Sequence, residues 1–277
     1  MTYSNSVYDS GARGFLFQDT FVSFYTHRSL IALLVRRDLT VRYKRSFLGL
    51  IWSLLNPLLT SLVLWFVFVY IFRPKLSDDT QFAPYLLAGV LTITFFTQGL
   101  TMAADSIAHG AGLLQKIYVP PQVFALASAV SSAVNFFFGL IALTFVTLIT
   151  GDGISLLFPL TSIFILCMLL LVTGFGLITA ILYIRFDDTR NIIAIILSLM
   201  TYLTPVFYPK DILKPIVRNV VSLNPITSYL DVFRSVFAST GTATTFDWLY
   251  MLGSAVVIFL LGIRIFAKQW PKSVVMM

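Results

Sequence analysis

The chain has 277 residues, of which 58% are hydrophobic and 11% are charged, whereas an average soluble domain has about 25% charged residues. This composition, with a net charge of +7, indicates an integral membrane protein. All 12 acidic residues are Asp, which excludes motifs that require Glu, such as the H-E-x-x-H zinc site and the EF-hand. The single cysteine, Cys167, lies in an apolar run and excludes an intrachain disulfide.

The N-terminal segment, residues 1–46, is predicted to remain in the cytoplasm. It contains no apolar core followed by a small-residue cleavage site, so we expect no cleaved signal peptide. Residues 15–35 are apolar but interrupted by Gln18, Asp19, His27 and Arg28, which is typical of a helix that lies in the membrane interface. No second His, Cys or Glu lies near His27, so we interpret it as a polar interfacial side chain rather than a metal ligand.

Six apolar stretches are candidates to cross a bilayer core of about 30 Å as helices. They are residues 47–72, 80–104, 117–151, 153–184, 191–209 and 248–263. Near the start of the third, Pro120-Pro121 favours extended chain before the helix. The last is short, and Arg264 and Lys268 can extend along it to the interface. We therefore predict an all-α polytopic fold with a membrane domain over 47–268 and a cytoplasmic tail over 269–277.

The basic residues predict that both termini lie in the cytoplasm. In this orientation 13 of the 19 Lys and Arg residues face the cytoplasm, and seven of them precede the first span, in agreement with the positive-inside rule. The basic loop, residues 36–45, contains more charge than orientation requires, and Tyr43 lies within it. A basic aromatic segment at this interface binds anionic headgroups with about 1 kcal/mol per Lys or Arg. A phosphate-bearing ligand is therefore a hypothesis for this loop.

Two Asn-Pro pairs interrupt the apolar pattern. Pro57 lies inside the first span, where it removes a backbone donor and bends the helix. The freed groups need partners in protein or in a wet cavity, so a simple kink and a functional cavity both stay open. The second pair lies in the outer region 207–246, where Asn224 can cap a helix that begins at Pro225. Pro209, Pro215 and Pro225 divide this region, which predicts two short re-entrant helices over about 209–239; a simple amphipathic loop is the alternative.

Two inner turns carry further patterns. HGAGLLQKIYVPPQ, between the second and third spans, has Gly at one end and Pro at the other, which favours a short docking helix. RFDDTRN, between the fourth and fifth, contains the adjacent pair Asp187 and Asp188. Asp188 can cap the fifth span. The pair also permits a metal-dependent polyprenyl-phosphate transferase, although only Asp105 is available nearby to complete an oxygen-rich metal site.

Several of these motifs together resemble the membrane subunit of type-2 ABC exporters, in the polysaccharide branch that moves O-antigen or teichoic acid precursors. The motifs are RRDLTVRYKRS, FLGLIWSLLNPLL, QKIYVPP, TPVFYP and LNPITSYLDVFRSVF, and the resemblance covers about residues 15–270. It implies a homodimer of six-span subunits, N-in and C-in, bound to two copies of a separate ATPase subunit. This chain has no G-x-x-x-x-G-K-[ST] phosphate loop, so no cofactor is expected in it, and ATP and Mg²⁺ are expected in the partner.

The resemblance also implies roles for particular residues. The substrate is expected to be an undecaprenyl-diphosphate-linked polysaccharide, and no catalytic or metal-binding residue is expected. The diphosphate would enter at Arg36, Arg37, Arg42, Tyr43, Lys44 and Arg45. The ATPase would couple to Leu113, Leu114, Gln115, Lys116, Ile117 and Tyr118. Sugars would slide past Trp52, Trp65, Phe66, Tyr70, Phe96, Phe136 and Phe137. The outer gate would contain Arg218, Asn224, Pro225, Tyr229 and Arg234.

Three alternatives make different predictions. A type-2 exporter of drugs or small lipids would share the six spans, but such permeases usually carry a large outer domain between the first two, where this chain has about eight polar residues. An intramembrane transferase would need Mg²⁺ and Asp187 but no ATPase partner. An ion-coupled carrier would show an unpaired carboxylate at mid-depth, and the sequence places none there.

Overall fold

A computed structural model describes residues 17–42, 46, 48–49, 51–67, 79–110, 119–150, 155–186, 188–238 and 243–273. These residues form α-helices and no β-strand. The helices are α1 (Phe17–Thr26), α2 (Arg28–Arg42), α3 (Ile51–Phe66), α4 (Asp79–His109), α5 (Gln122–Thr150), α6 (Thr161–Arg185), α7 (Thr189–Leu203), α8 (Pro215–Leu223), α9 (Pro225–Ala238) and α10 (Thr245–Ser273). Four stretches in the described residues are long and apolar enough to cross a membrane: Phe82–Ala108, Gln122–Thr150, Phe158–Arg185 and Thr245–Ser273.

The helix ends agree with the sequence in some places and differ in others. α5 begins directly after Pro120-Pro121, as predicted. α10 continues ten residues beyond the predicted end at Ile263, because Arg264 and Lys268 are exposed and do not interrupt its backbone hydrogen bonds. The predicted tail from residue 269 therefore begins inside this helix. Asp188 does precede α7, but its side chain makes no capping hydrogen bond, so that predicted cap is wrong.

The helical part of the N-terminal region extends beyond residue 35, where the predicted interfacial segment ends. The predicted interfacial segment 15–35 corresponds to α1 and α2, which are separated at His27. The His27 Nδ1 atom lies 2.9 Å from the Ser23 carbonyl oxygen. α2 extends to Arg42, so the first part of the predicted basic loop is a helix, and Leu34 on this helix is buried in the core. The residues that follow Arg42 up to residue 45 lie outside the described part.

A cluster of phenylalanine rings joins four helices in the core. Phe136 of α5 lies 5.0 Å from Phe95 of α4 and 5.5 Å from Phe164 of α6, measured between ring centroids. Phe164 stacks on Phe233 of α9 at 4.8 Å. Ring pairs at these distances contribute about 0.5–1.5 kcal/mol each beyond their buried area. The helix α9 is therefore part of the core rather than an appendage to it.

α6 and α10 cross at very short range because each presents a glycine at the contact. A Cβ atom built on Gly174 of α6 would lie 2.6 Å from the Ile258 carbonyl oxygen of α10. A Cβ atom on Gly262 of α10 would in turn collide with the Gly174 backbone. Small residues allow this approach in membrane helices, where close packing replaces the hydrophobic effect as the force between helices.

We predict that Gly174→Ala separates α6 from α10 and destabilises the protein by about 1–3 kcal/mol, as overpacking does in other cores. The measurement is the midpoint of thermal unfolding in detergent. Gly253→Ala on α10 is the matched control, because a Cβ atom there meets nothing within 4 Å. Equal midpoints for the two variants would contradict the close crossing.

Candidate functional site

A cavity of about 490 Å³ lies between α3, α4 and α5. Residues from these three helices line it, and they recur at intervals of three or four positions. Trp52, Asn56 and Thr60 recur every fourth residue along α3, so they share one face of that helix. The polar residues that line it are Arg42, Ser46, Asn56, Thr60, Thr94, Gln98, Ser132 and Asn135, and the apolar residues are Trp52, Pro57, Val90, Leu91, Phe95 and Phe136.

Three polar side chains of the cavity, those of Asn56, Thr94 and Gln98, differ from other polar side chains of these helices. The hydroxyls of Thr97 and Ser131 donate to the carbonyl oxygen four residues earlier, at 2.9 Å, as serine and threonine commonly do in helices. Within the described part of the chain, the side chains of Asn56, Thr94 and Gln98 have no hydrogen-bond partner. Their donors and acceptors are therefore available to water or to a ligand.

Arg42 brings positive charge to the cavity. Its side chain is exposed and its Nη2 atom lies 2.6 Å from the Met102 sulfur of α4. Arg36 is exposed on α2, and Arg37 forms an ion pair with Asp38 at 2.8 Å. Of the predicted entry residues, only Arg42 lines the cavity, whereas Tyr43, Lys44 and Arg45 lie outside the described residues.

The predicted channel aromatics occupy several different environments. Trp52 and Phe136 line the cavity. Phe96 is buried and packs edge-on against Phe175, and the adjacent residue Phe95 lines the cavity instead. Phe66 and Phe137 are more than half exposed, Trp65 is half-buried, and Tyr70 lies outside the described residues. Thr60, Thr94 and Ser132 were not predicted for this site, although their four-residue spacing from Asn56, Gln98 and Phe136 would have indicated them.

Paired charges hold the helices together at the end of the bundle near Arg42. Arg190 of α7 forms an ion pair with Asp105 of α4 at 3.2 Å and lies over the Tyr183 ring. Arg185 of α6 donates to the Gln269 side chain of α10 at 2.7 Å. Among the described residues no group of three His, Cys, Asp or Glu side chains could hold a metal ion. Asp187 and the predicted coupling residues Leu113 to Tyr118 lie outside the described residues.

Most of the predicted outer-gate residues lie inside the fold. Asn224 caps α9, since its Oδ1 accepts from the Ile226 amide at 3.1 Å, and α9 begins at Pro225 as predicted. The Tyr229 hydroxyl donates to the Met251 carbonyl oxygen of α10 at 3.1 Å, and its side chain is fully buried. Arg218 is exposed on α8. The Tyr229 hydrogen bond attaches α9 to α10.

Arg234 makes the most extensive contacts of this set. Its guanidinium is buried and donates to the carbonyl oxygens of Tyr85, Pro205 and Val206 at 3.0–3.1 Å. It also lies 3.4 Å from the centroid of the Tyr85 ring, a cation–π arrangement. Gly89 on α4 leaves room for it, because a Cβ atom there would lie 2.9 Å from Nη2. Lys210 and Asp231 form an ion pair nearby.

A bundle of apolar helices around a cavity with available polar groups defines a polytopic membrane transport protein. The chain matches the ABC-2 type transporter family over residues 29–238 and belongs to that family. It is accordingly a transport permease of the cell membrane.

The relatives are polysaccharide exporters. The O-antigen export system permease protein RfbA of Myxococcus xanthus is 27% identical over 215 residues, which cover 77% of this chain and 82% of the relative. The protein of the same name from Klebsiella pneumoniae is 26% identical over 244 residues, or 86% and 91% of the two chains. The capsule polysaccharide export inner-membrane protein CtrC of Neisseria meningitidis is 22% identical over 253 residues, or 89% and 93%.

We predict that Arg234→Met destabilises the protein by several kcal/mol, because each buried carbonyl that loses its donor costs about 1–3 kcal/mol. Hydrogen exchange of residues 215–238 should become faster, since the α8–α9 pair loses its attachment to α4. The control is Arg218→Met on the exposed side of α8, for which we expect a change within about 0.5 kcal/mol. Similar exchange in both variants would mean that the guanidinium does not hold this pair.

Proposed function

We propose that this chain is the membrane subunit of an ATP-driven exporter that moves an undecaprenyl-diphosphate-linked polysaccharide from the cytoplasm across the inner membrane. The observation that carries the proposal is the polar and aromatic cavity with Arg42 at its wall, in a chain whose relatives are O-antigen and capsule export permeases. Those names favour a surface polysaccharide over a drug or a small lipid. A teichoic acid precursor presents the same lipid diphosphate.

The packing supports six spans, and the excess of basic residues before the first span supports a cytoplasmic location for both termini. At one end of the bundle Arg42 contacts Met102, and Asp105 contacts Arg190. At the opposite end Arg234 contacts Tyr85. α3 starts at the first end and α4 starts at the second, so the chain must cross between them, and α7 connects the ends in the same way. The helices α3 and α7, of 16 and 15 residues, are about 22–24 Å long. Non-helical residues complete each crossing.

The α8–α9 pair lies at the second end and is proposed to be a re-entrant outer gate. Neither helix is long enough to cross a membrane. α9 is part of the core, whereas most of α8 is exposed. Residues buried this deeply can keep non-helical connections at membrane depth because the protein itself supplies their partners.

A second copy of the chain is proposed to complete the transport path. α7 packs mainly against α6 and leaves an apolar row exposed at Ile192, Ile195, Leu199 and Tyr202. The adjoining helix α8 exposes Ile216 and Val220. Two subunits that met along these rows would bury a continuous apolar strip. The ATPase is proposed to be a separate subunit, present in two copies and supplying ATP and Mg²⁺, because this chain has no phosphate-binding loop.

The transferase alternative has less support. It requires carboxylates that gather around a metal ion. Asp105, which was the nearest candidate to assist Asp187 and Asp188, forms an ion pair with Arg190. Asp105 is therefore better explained by helix packing than by metal binding.

We predict that replacing Arg42, Lys44 and Arg45 with Gln lowers the stimulation of ATP hydrolysis by substrate. Each basic residue contributes about 1 kcal/mol to binding an anionic headgroup, so the half-saturating substrate concentration should rise by about two orders of magnitude. The measurement is ATP hydrolysis by the purified complex in nanodiscs, titrated with lipid-linked polysaccharide.

The matched control replaces Arg264, Lys268 and Lys272 with Gln. These residues also carry three charges and are exposed on α10, away from the cavity. Loss of stimulation in the control alone, or unchanged stimulation in the first variant, would remove the diphosphate role from residues 42–45.

We predict that Leu114→Asp uncouples or dissociates the ATPase subunit, because a charge in an apolar docking contact is costly to bury. Co-purification with a tagged chain and ATP hydrolysis of the recovered complex are the readouts. Lys272→Asp at the exposed end of α10 is a control for the general effect of a new negative charge, and it should leave the ATPase bound. A fully active Leu114→Asp complex would place the docking element elsewhere.

A further inference from the structure

Amide side chains from three helices meet in the cavity. Asn56 comes from α3, Gln98 from α4 and Asn135 from α5. None of the described residues that line the cavity carries a carboxylate. Arg42 is the charged residue of the described lining, so the cavity combines one cationic position with a neutral polar region.

The amides lie deep in the bundle. Gln98 is 11 residues before the end of α4 at His109, and Asn135 is 13 residues after the start of α5 at Gln122. At 1.5 Å per residue these positions lie about 16 and 20 Å from those helix ends, and Gln98 lies about 6 Å along α4 from Met102, the residue that Arg42 contacts. Since the hydrocarbon core is about 30 Å thick, the amides lie near its middle.

Polar side chains at this depth require a polar occupant. Asn56 and Gln98 are exposed within a single subunit, and in lipid an amide without partners would cost several kcal/mol. Polar residues inside membrane proteins accordingly face a water-filled or ligand-binding cavity. Amides and hydroxyls both donate and accept hydrogen bonds, a capacity that matches the hydroxyl groups of sugars.

The remaining wall and the size of the cavity point the same way. Trp52, Phe95 and Phe136 supply aromatic surface beside the amides, and one face of a sugar ring is apolar. The volume of about 490 Å³ is that of a small-molecule site. It therefore holds a short piece of a glycan rather than a whole chain.

We propose that each subunit contains a sugar-binding subsite at mid-depth, formed by Asn56, Thr94, Gln98 and Asn135 against Trp52, which recognises the sugar next to the lipid diphosphate. The inference rests on the proposed function, because Arg42 is taken to hold the diphosphate. It adds that the permease itself distinguishes a sugar-bearing lipid from the bare lipid diphosphate.

Two synthetic probes separate the two parts of the site: farnesyl diphosphate, and farnesyl diphosphate that carries one N-acetylglucosamine. The full-length chain is purified with its partner subunits in nanodiscs, and the dissociation constant of each probe is measured. Wild type should bind the sugar-bearing probe at least tenfold more tightly. Asn56→Leu, which keeps the side-chain shape, should remove this preference and leave the affinity for farnesyl diphosphate unchanged.

Further variants guard against loss of folding. Gln98→Met and Thr94→Val also keep their shapes and should each reduce the preference. Asn191→Leu is the matched control, since Asn191 is exposed on α7 outside the cavity, and it should retain the wild-type preference. Equal binding of the two probes by wild type, or an unchanged preference in all three cavity variants, would overturn the subsite.

The same titration tests the proposed function separately. If the variant with Gln at positions 42, 44 and 45 loses affinity for both probes while wild type shows no preference, the diphosphate site stands and the sugar subsite is overturned. If that variant binds farnesyl diphosphate as wild type does, while Asn56→Leu abolishes the sugar preference, the subsite stands and the diphosphate role of Arg42 is overturned.

Discussion

The structure depends on one constraint: a polar group that lies among apolar helices must find its partner inside the protein or face water. Thr97 and Ser131 meet it by donating to their own helix. Arg234 meets it with three backbone carbonyls and the Tyr85 ring. In the cavity between α3, α4 and α5, the side chains of Asn56 and Gln98 have no hydrogen-bond partner among the described residues. A polar substrate can therefore bind there.

The cavity adjoins the packed core of the fold. Phe136 belongs to both, because it lines the cavity and packs against Phe95 and Phe164. Close approach of α6 and α10 at Gly174 and Gly262 holds the other side of the bundle together. A permease needs both a cavity that can change shape around its substrate and a tightly packed set of helices that supports this cavity.

Several elements were predictable because their cause is local. The Pro120-Pro121 pair precedes α5, and Asn224-Pro225 begins α9, since proline restricts its own backbone and that of its neighbour. The end of α10 was not predictable in this way, because Arg264 and Lys268 interrupt hydrophobicity without interrupting the helix. Phe95 and Phe96 are adjacent residues of the same type, so the sequence does not distinguish them. The orientation of α4 about its axis places Phe95 at the cavity and Phe96 against Phe175.

Sequence alone determined the membrane character, the run of apolar helices, the excess of basic residues before the first span and the resemblance to exporters, because composition and short motifs are properties of the chain itself. Tertiary structure decided which residues meet. Arg42 and Gln98 lie 56 positions apart and share one cavity, while Arg234, predicted for the outer gate, is buried among backbone carbonyls. The reason is physical: packing between helices determines which side of a helix faces a neighbour. The sequence of one helix does not specify which other helix will pack against it.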